Sequence, residues 1–185
     1  MVTVFLAEGF EEMEALAPID LLRRAGIPVQ TAAVGTDTGV HGGRIVTGSH
    51  GVSFLCDTTA AQIEPETMEM IVLPGGKKGT ENLDRSPIVD RLLAYADQHG
   101  IWVGAICAAP SILGKRGLLD GRQATSYPGF EPAGAVYTGA PVVVDGKYVT
   151  ARGAGVCLEF ALQLITCLKG QEAAQAVKDE IRCQK

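Results

Sequence analysis

Cys107 closes the apolar run WVGAI and is followed by AAPSILG, so a thiol stands at the corner between a buried strand and the first turn of a helix. A residue in such a tight turn is held in a sparsely populated backbone conformation and needs small neighbours, which Ala105, Ala108 and Ala109 supply. At the start of a helix the positive end of the macrodipole and the unpaired N–H groups favour thiolate over thiol, so Cys107 is expected to be nucleophilic near neutral pH. A second corner, Pro74-Gly75-Gly76, follows MIVL and offers unobstructed backbone N–H groups suited to an oxyanion or a carbonyl oxygen. Glu14 is the third element. It lies beside Glu11 and Glu12 early in the first helix, where acidic residues complement the dipole. Pro18 cannot donate to the carbonyl of Glu14 and loosens that turn. If Glu14 faces Cys107 across the strand ends, burial and a neighbouring thiolate both raise its pKa, which suits a proton donor or shuttle.

These residues need a scaffold that brings three loops together, and the hydrophobic pattern supplies one. Short apolar runs alternate with amphipathic segments, the pattern of a parallel sheet covered by helices. VTVFLA, PVQTAAVG, MEMIVL and WVGAIC read as strands, and residues 40–58 are β-like and turn-rich. EEMEALAPIDLLRRAG reads as a helix closed by Gly26, with Arg23 and Arg24 in its last turn. Ser86 and Pro87 are expected as N-cap and N1 of a helix ending before Gly100. PVVVDGKYVTA reads as a hairpin turning at Asp145-Gly146, and helices near 155–168 and 171–182 complete a single α/β sandwich over residues 1–185. In an open parallel sheet, ligands bind beyond the carboxyl ends of the strands near a switch in strand order, which selects the loops at 8–14, 74–76 and 107.

Composition narrows the partners. A chain of 185 residues with 46% hydrophobic residues suits one packed core. A net charge of −5 with no basic run argues against nucleic acid or an anionic membrane as the main partner and for a small neutral or polar substrate. MVTVFLAEGFEE lacks a basic n-region and reads as a strand rather than a signal peptide, and no apolar run is long enough to span a bilayer. The five cysteines include no CxxC pair, so free thiols in the reducing cytoplasm are expected. Among the histidines, His41, His50 and His99, none stands at ligand spacing from a cysteine or another histidine, so metal binding is not expected. Cys157, near the start of a later helix, is the rival nucleophile; Cys56 and Cys167 read as core residues, and Cys183 as exposed and open to oxidation.

EGFEEMEALAPIDLLRRAGI, VLPGG, GAICAAP and RGAG before a helix, in this order and spacing, resemble the ThiJ/PfpI family in its DJ-one branch, within the class I glutamine amidotransferase-like superfamily. The resemblance runs over essentially the whole chain. It implies a flavodoxin-like three-layer sandwich with a mostly parallel sheet, a homodimer, a reactive cysteine on a nucleophile elbow at Cys107 and an acidic partner at Glu14. It also places Gly75 and Gly76 as backbone donors near the sulfur, with the N–H of Ala108 beside them. The departures are informative. No histidine lies C-terminal to Cys107, which excludes a Cys-His hydrolase triad in that order, and hence a protease or amidotransferase of that type. Where a relative carries Thr-His-Pro, this chain has Ser126-Tyr127-Pro128; Tyr127 donates hydrogen bonds but is a poor base near neutral pH. Where a relative has Ser-Arg in a loop reaching the partner subunit's site, this chain has Ser49-His50, and His50 reads either as a loop cap or as a titratable group supplied in trans. Arg152 and Gly153 match an Arg-Gly read as structural.

The expected function is therefore a cofactor-independent cysteine enzyme acting on α-oxoaldehydes such as methylglyoxal and on early glycation adducts of amines, a glyoxalase or deglycase needing no metal, glutathione or nucleotide. The same residues would serve a second role, a non-catalytic sensor or chaperone of oxidative stress whose thiol oxidises to sulfinate.

Overall fold

The computed structural model describes residues 1–35 and 40–183. Seven strands form the main sheet: β1 (Val2–Ala7), β2 (Val29–Val34), β5 (Thr58–Thr59), β6 (Met70–Leu73), β7 (Trp102–Ile106), β10 (Val142–Asp145) and β11 (Tyr148–Ala151). Their order across the sheet is β10-β11-β7-β6-β1-β2-β5, and every pairing is parallel except the β10–β11 hairpin. Two small ribbons lie outside it: β3 (Ile45–Thr47) with β4 (Ser53–Leu55), and β8 (Gln123–Ala124) with β9 (Val136–Tyr137).

The helices are α1 (Glu12–Arg24), α2 (Lys77–Asp84), α3 (Pro87–Gln98), α4 (Pro110–Lys115), α5 (Cys157–Lys169) and α6 (Gln171–Glu180). They cover both faces of the sheet, and the strand sequences show why. Because successive side chains of a strand point to opposite faces, β1 sends Val2, Val4 and Leu6 to a core shared with Ile19 and Leu22 of α1 and Phe160 and Leu164 of α5. Its Phe5 and Ala7 point the other way, to a core shared with Leu92 and Leu93 of α3 and Ile112 of α4. Met70 and Val72 of β6 divide from Ile71 and Leu73 in the same manner. Strands buried on both sides are apolar almost throughout, hence the runs VTVFLA and MIVL, in which the one polar residue, Thr3, accepts from the Gln30 amide at 3.0 Å. Each such fully buried side chain contributes about 1.5–3 kcal/mol.

The expected mostly parallel, flavodoxin-like layering is the observed one, with Ser86 capping α3 and a hairpin at Asp145-Gly146. Ser86 accepts from the Val89 N–H at 3.4 Å. The strand order reverses direction at β1: the chain goes from β1 to β2 on one side, then to β6 and β7 on the other. The loops leaving β1, β6 and β7 therefore emerge side by side at the middle of the sheet. No helix among the described residues is long and apolar enough to cross a membrane.

Candidate active site

Cys107 follows β7 directly and has φ +64°, one of two non-glycine residues in the left-handed region among those described. An L-residue there is strained by ~1–2 kcal/mol, so the elbow persists because the surrounding structure fixes it. Its N–H donates to the Ala151 carbonyl at 2.8 Å, extending the β7–β11 ladder, and its carbonyl accepts from the Tyr127 N–H at 2.8 Å. Ala108 and Ala109 are buried. The thiol is half-buried.

Glu14 reaches the same place from α1. Glu11 is the N-cap of that helix and its carboxylate accepts from the Glu14 N–H at 2.8 Å. The helix runs on through Pro18, whose missing N–H leaves the Glu14 carbonyl without its helical partner. The first-helix acids are thus not one solvated cluster: Glu14 is fully buried and Glu12 nearly so.

Gly75 ties the loops together in both directions. Its carbonyl accepts from the Glu11 N–H at 3.1 Å, and its N–H donates to Glu14 Oε2 at 2.9 Å. This corrects one expectation. The Gly75 amide is turned toward the carboxylate and is engaged there, so it is not available to an oxyanion. The N–H groups of Gly76 and Ala108 are the ones that hydrogen-bond the Cys107 sulfur. Gly76 has φ +83°, and a Cβ there would lie 2.5 Å from the Gly9 carbonyl oxygen, so both conformation and space require glycine. At Gly75 a Cβ would lie 2.6 Å from Glu14 Oε2, 2.7 Å from Cys107 Cβ and 2.9 Å from the Ile106 carbonyl. Gly75→Ala is expected to lower stability by about 1–3 kcal/mol, because the buried Glu14 carboxylate on one side and the Ile106–Cys107 elbow on the other must move; urea unfolding measures it, and an unchanged midpoint would show that the loop can give way.

The electrostatics also depart from expectation. Burial pushes Cys107 up to about 12, and ionised Glu14 pushes it the same way, against the pull of the Gly76 and Ala108 amides. Helix α4 is only six residues long and starts three residues after the sulfur, too short and too distant to offset desolvation. Burial and an ionised Glu14 thus both work against a thiolate at Cys107. Glu14 is pushed up to about 7, chiefly by burial and further by the charge of Glu11, and lowered by its contacts to Cys107 and the Gly75 amide. Two negative charges cannot share this site, so near neutral pH the Glu14–Cys107 pair holds at least one proton. Glu14 Oε1 has no hydrogen-bond partner.

The other expected residues divide. His50 is a loop cap. Its ring Nδ1 lies 2.9 Å from Glu12 Oε2 and its N–H donates to Glu12 Oε1 at 2.7 Å, while the imidazole is exposed. Burial raises the Glu12 pKa, but these bonds prevail and hold it down at about 2. Spacing along the chain did not foretell that Glu11, Glu12 and His50 place ligand-type atoms within 4.8 Å of one another, although His50 and Ser49 already occupy the Glu12 oxygens. The His41 side chain lies outside the described residues. Tyr127 is joined to Cys107 through its backbone, and its half-exposed ring lines a cavity of about 450 Å³ with Ser126, Tyr137 and Arg152. Arg152, read in the sequence as structural, lines this cavity and makes no ion pair or side-chain hydrogen bond among the described residues.

No disulfide joins any of the five cysteines. Cys157 is buried, and burial together with the charges of Glu11 and Glu14 raises its pKa. Cys56 is core, pushed up to about 12 by burial, and Cys167 is half-buried against the same core. Cys183 is half-buried rather than exposed, because the chain after α6 folds back against α1 and α5.

A family model described as the DJ-1/PfpI family matches residues 1–167. Protein dj-1beta of Drosophila melanogaster is 40% identical over 178 residues, covering 94% of this chain and 92% of that relative. A protein of Pyrococcus horikoshii named a deglycase is 34% identical over 160 residues, covering 82% of this chain and 90% of that one. The crystal structure of a mutant DJ-1 superfamily protein from Salmonella typhimurium superposes with a TM-score of 0.90 at 32% identity, covering 100% of this chain and 98% of that chain.

Proposed function

The chain belongs to the DJ-1/PfpI family, and on that premise we propose that it is a cysteine enzyme that converts α-oxoaldehydes such as methylglyoxal to hydroxy acids and removes early glycation adducts of amines, with no cofactor. The observation that carries this reading is the pairing of the elbow thiol with a buried carboxyl that keeps a proton up to about pH 7 and presents an unpartnered oxygen beside it. As Cys107 sulfur bonds to the aldehyde carbon, the thiol proton passes to Glu14 and on to the aldehyde oxygen, giving a hemithioacetal. The Gly76 and Ala108 amides steady that oxygen while it carries charge. Glu14, now a carboxylate, takes the proton from the former aldehyde carbon and returns it to the adjacent ketone carbon, while the hemithioacetal hydroxyl proton passes to the ketone oxygen, leaving a thioester. The aldehyde carbon is oxidised and the ketone carbon reduced within one molecule, so no external electron carrier enters. Water cleaves the resulting thioester, releasing lactate and restoring the thiol. The name of the pyrococcal relative supports the adduct-removing part of the reading.

Purified protein given methylglyoxal without glutathione or metal is expected to form lactate saturably. Lactate no faster than in buffer would overturn the enzyme reading. One observation favours the second role in that event: Glu14 Oε1 has no hydrogen-bond partner, so a protonated Glu14 would have a donor to spare for an oxygen on the Cys107 sulfur. Mass spectrometry after graded peroxide would then find sulfinate confined to Cys107.

A cytoplasmic homodimer completes the reading. Its support is the exposed apolar face of Met13 and Leu16 on α1 and Leu158 on α5, which together flank a groove of about 490 Å³. Sedimentation as a monomer at micromolar concentration would remove it.

A further inference from the structure

The cavity of about 450 Å³ adjoins the Cys107 backbone on two sides. Tyr127 gives its N–H to the Cys107 carbonyl, and Ala151, which accepts the Cys107 N–H, immediately precedes Arg152. The polar groups on its walls are not evenly mixed. Ser126 Oγ donates to the Tyr127 carbonyl at 3.2 Å, and the Tyr137 hydroxyl donates to the Ser126 carbonyl at 3.4 Å. That leaves the Tyr127 hydroxyl and the Arg152 guanidinium as side-chain donors with no partner among the described residues, and no carboxylate lines the cavity. A guanidinium has five donors, no acceptor and a permanent charge, in a planar fork that matches carboxylate or phosphate. A neutral three-carbon aldehyde held at Cys107 uses none of this.

We propose that the cavity binds an oxyanion at the far end of the substrate, so that carbonyl compounds bearing a carboxylate or phosphate are preferred at Cys107 and Arg152 determines that preference. The inference rests on the proposed chemistry at Cys107 for the word substrate, but not for the binding of the anion. Arg152 is exposed, so the attraction is partly screened and salt should weaken it.

Two measurements test it. The ratio of kcat/KM for 4,5-dioxopentanoate, an α-oxoaldehyde with a terminal carboxylate, to that for methylglyoxal is expected to fall about tenfold in Arg152→Gln, a change of about 1.4 kcal/mol, and to be largely kept in Arg152→Lys. Independently of turnover, Cys107→Ser protein is titrated with levulinate, glycerol 3-phosphate and glycerol while backbone amide resonances of residues 153–155 are followed. Saturable shifts with either anion, lost when Arg152→Gln is added, support the site, and the tighter of the two shows whether carboxylate or phosphate is its natural ligand. Equal responses to glycerol, or anion binding indifferent to Arg152→Gln, would overturn it. Anion binding without lactate formation would remove the proposed reaction and leave the site standing.

Discussion

Cys107→Ser is expected to reduce kcat/KM for lactate formation from methylglyoxal by ~10³-fold or more, the scale on which loss of a covalent nucleophile registers. Serine matches the thiol closely in size and leaves the backbone at φ +64°, so the melting temperature should move by only a few degrees and misfolding would not account for the loss. The chemistry explains the size of the effect. Thiol and carboxyl share a proton here because neither anion is well solvated. An alkoxide at the same position would be far harder to form, since a hydroxyl holds its proton more tightly than a thiol does. Cys157 supplies the control. It too is near Glu11 and Glu14, but it lies buried at the start of α5 with no elbow to present it. Cys157→Ser is therefore expected to keep most activity, and the reverse pattern in the two variants would move the nucleophile to Cys157.

Local signals carried the elbow and the strands into the sequence. A run buried on both sides is apolar almost throughout, and a thiol flanked by alanines at its end has few structural reasons to be there; both facts are written within ten residues. What was not legible depends on contacts between distant segments. The Gly75 amide could have faced a substrate oxygen or a protein acceptor, and the choice was made by Glu14, 61 residues away. His50 looked titratable by residue type, yet Glu12, 38 residues away, takes both its ring and its backbone. The direction of the Cys107 shift was missed for a related reason. Helix-terminus electrostatics can be read from order along the chain, whereas desolvation depends on what packs overhead. Arg152 was assigned to structure by its neighbours in sequence, and only the β7–β11 register places it beside the elbow.

Glu14→Gln should separate stability from function. Folding raises the Glu14 carboxyl from its ordinary value of 4.5 to about 7, chiefly by burying it. Between those values the native protein holds a proton that the unfolded chain releases, so stability falls as pH rises from about 4.5 to about 7 and is level above. Raising that pKa costs about 3 kcal/mol at pH 8. Glutamine keeps the acceptor for the Gly75 N–H and cannot ionise. The variant is therefore expected to match the wild type in urea at pH 5 and to exceed its stability progressively up to pH 8; a constant difference across that range would show that Glu14 does not carry the raised pKa. The same substitution removes the group that receives the thiol proton and returns it to carbon, so turnover should fall by ~10²–10⁴-fold. The wild-type rise in kcat/KM through about pH 7, as the pair loses its first proton, should vanish with it. On the proposed chemistry, Glu14 weakens the fold at the pH where it works, and a neutral isostere would regain that stability only by removing the proton carrier at Cys107.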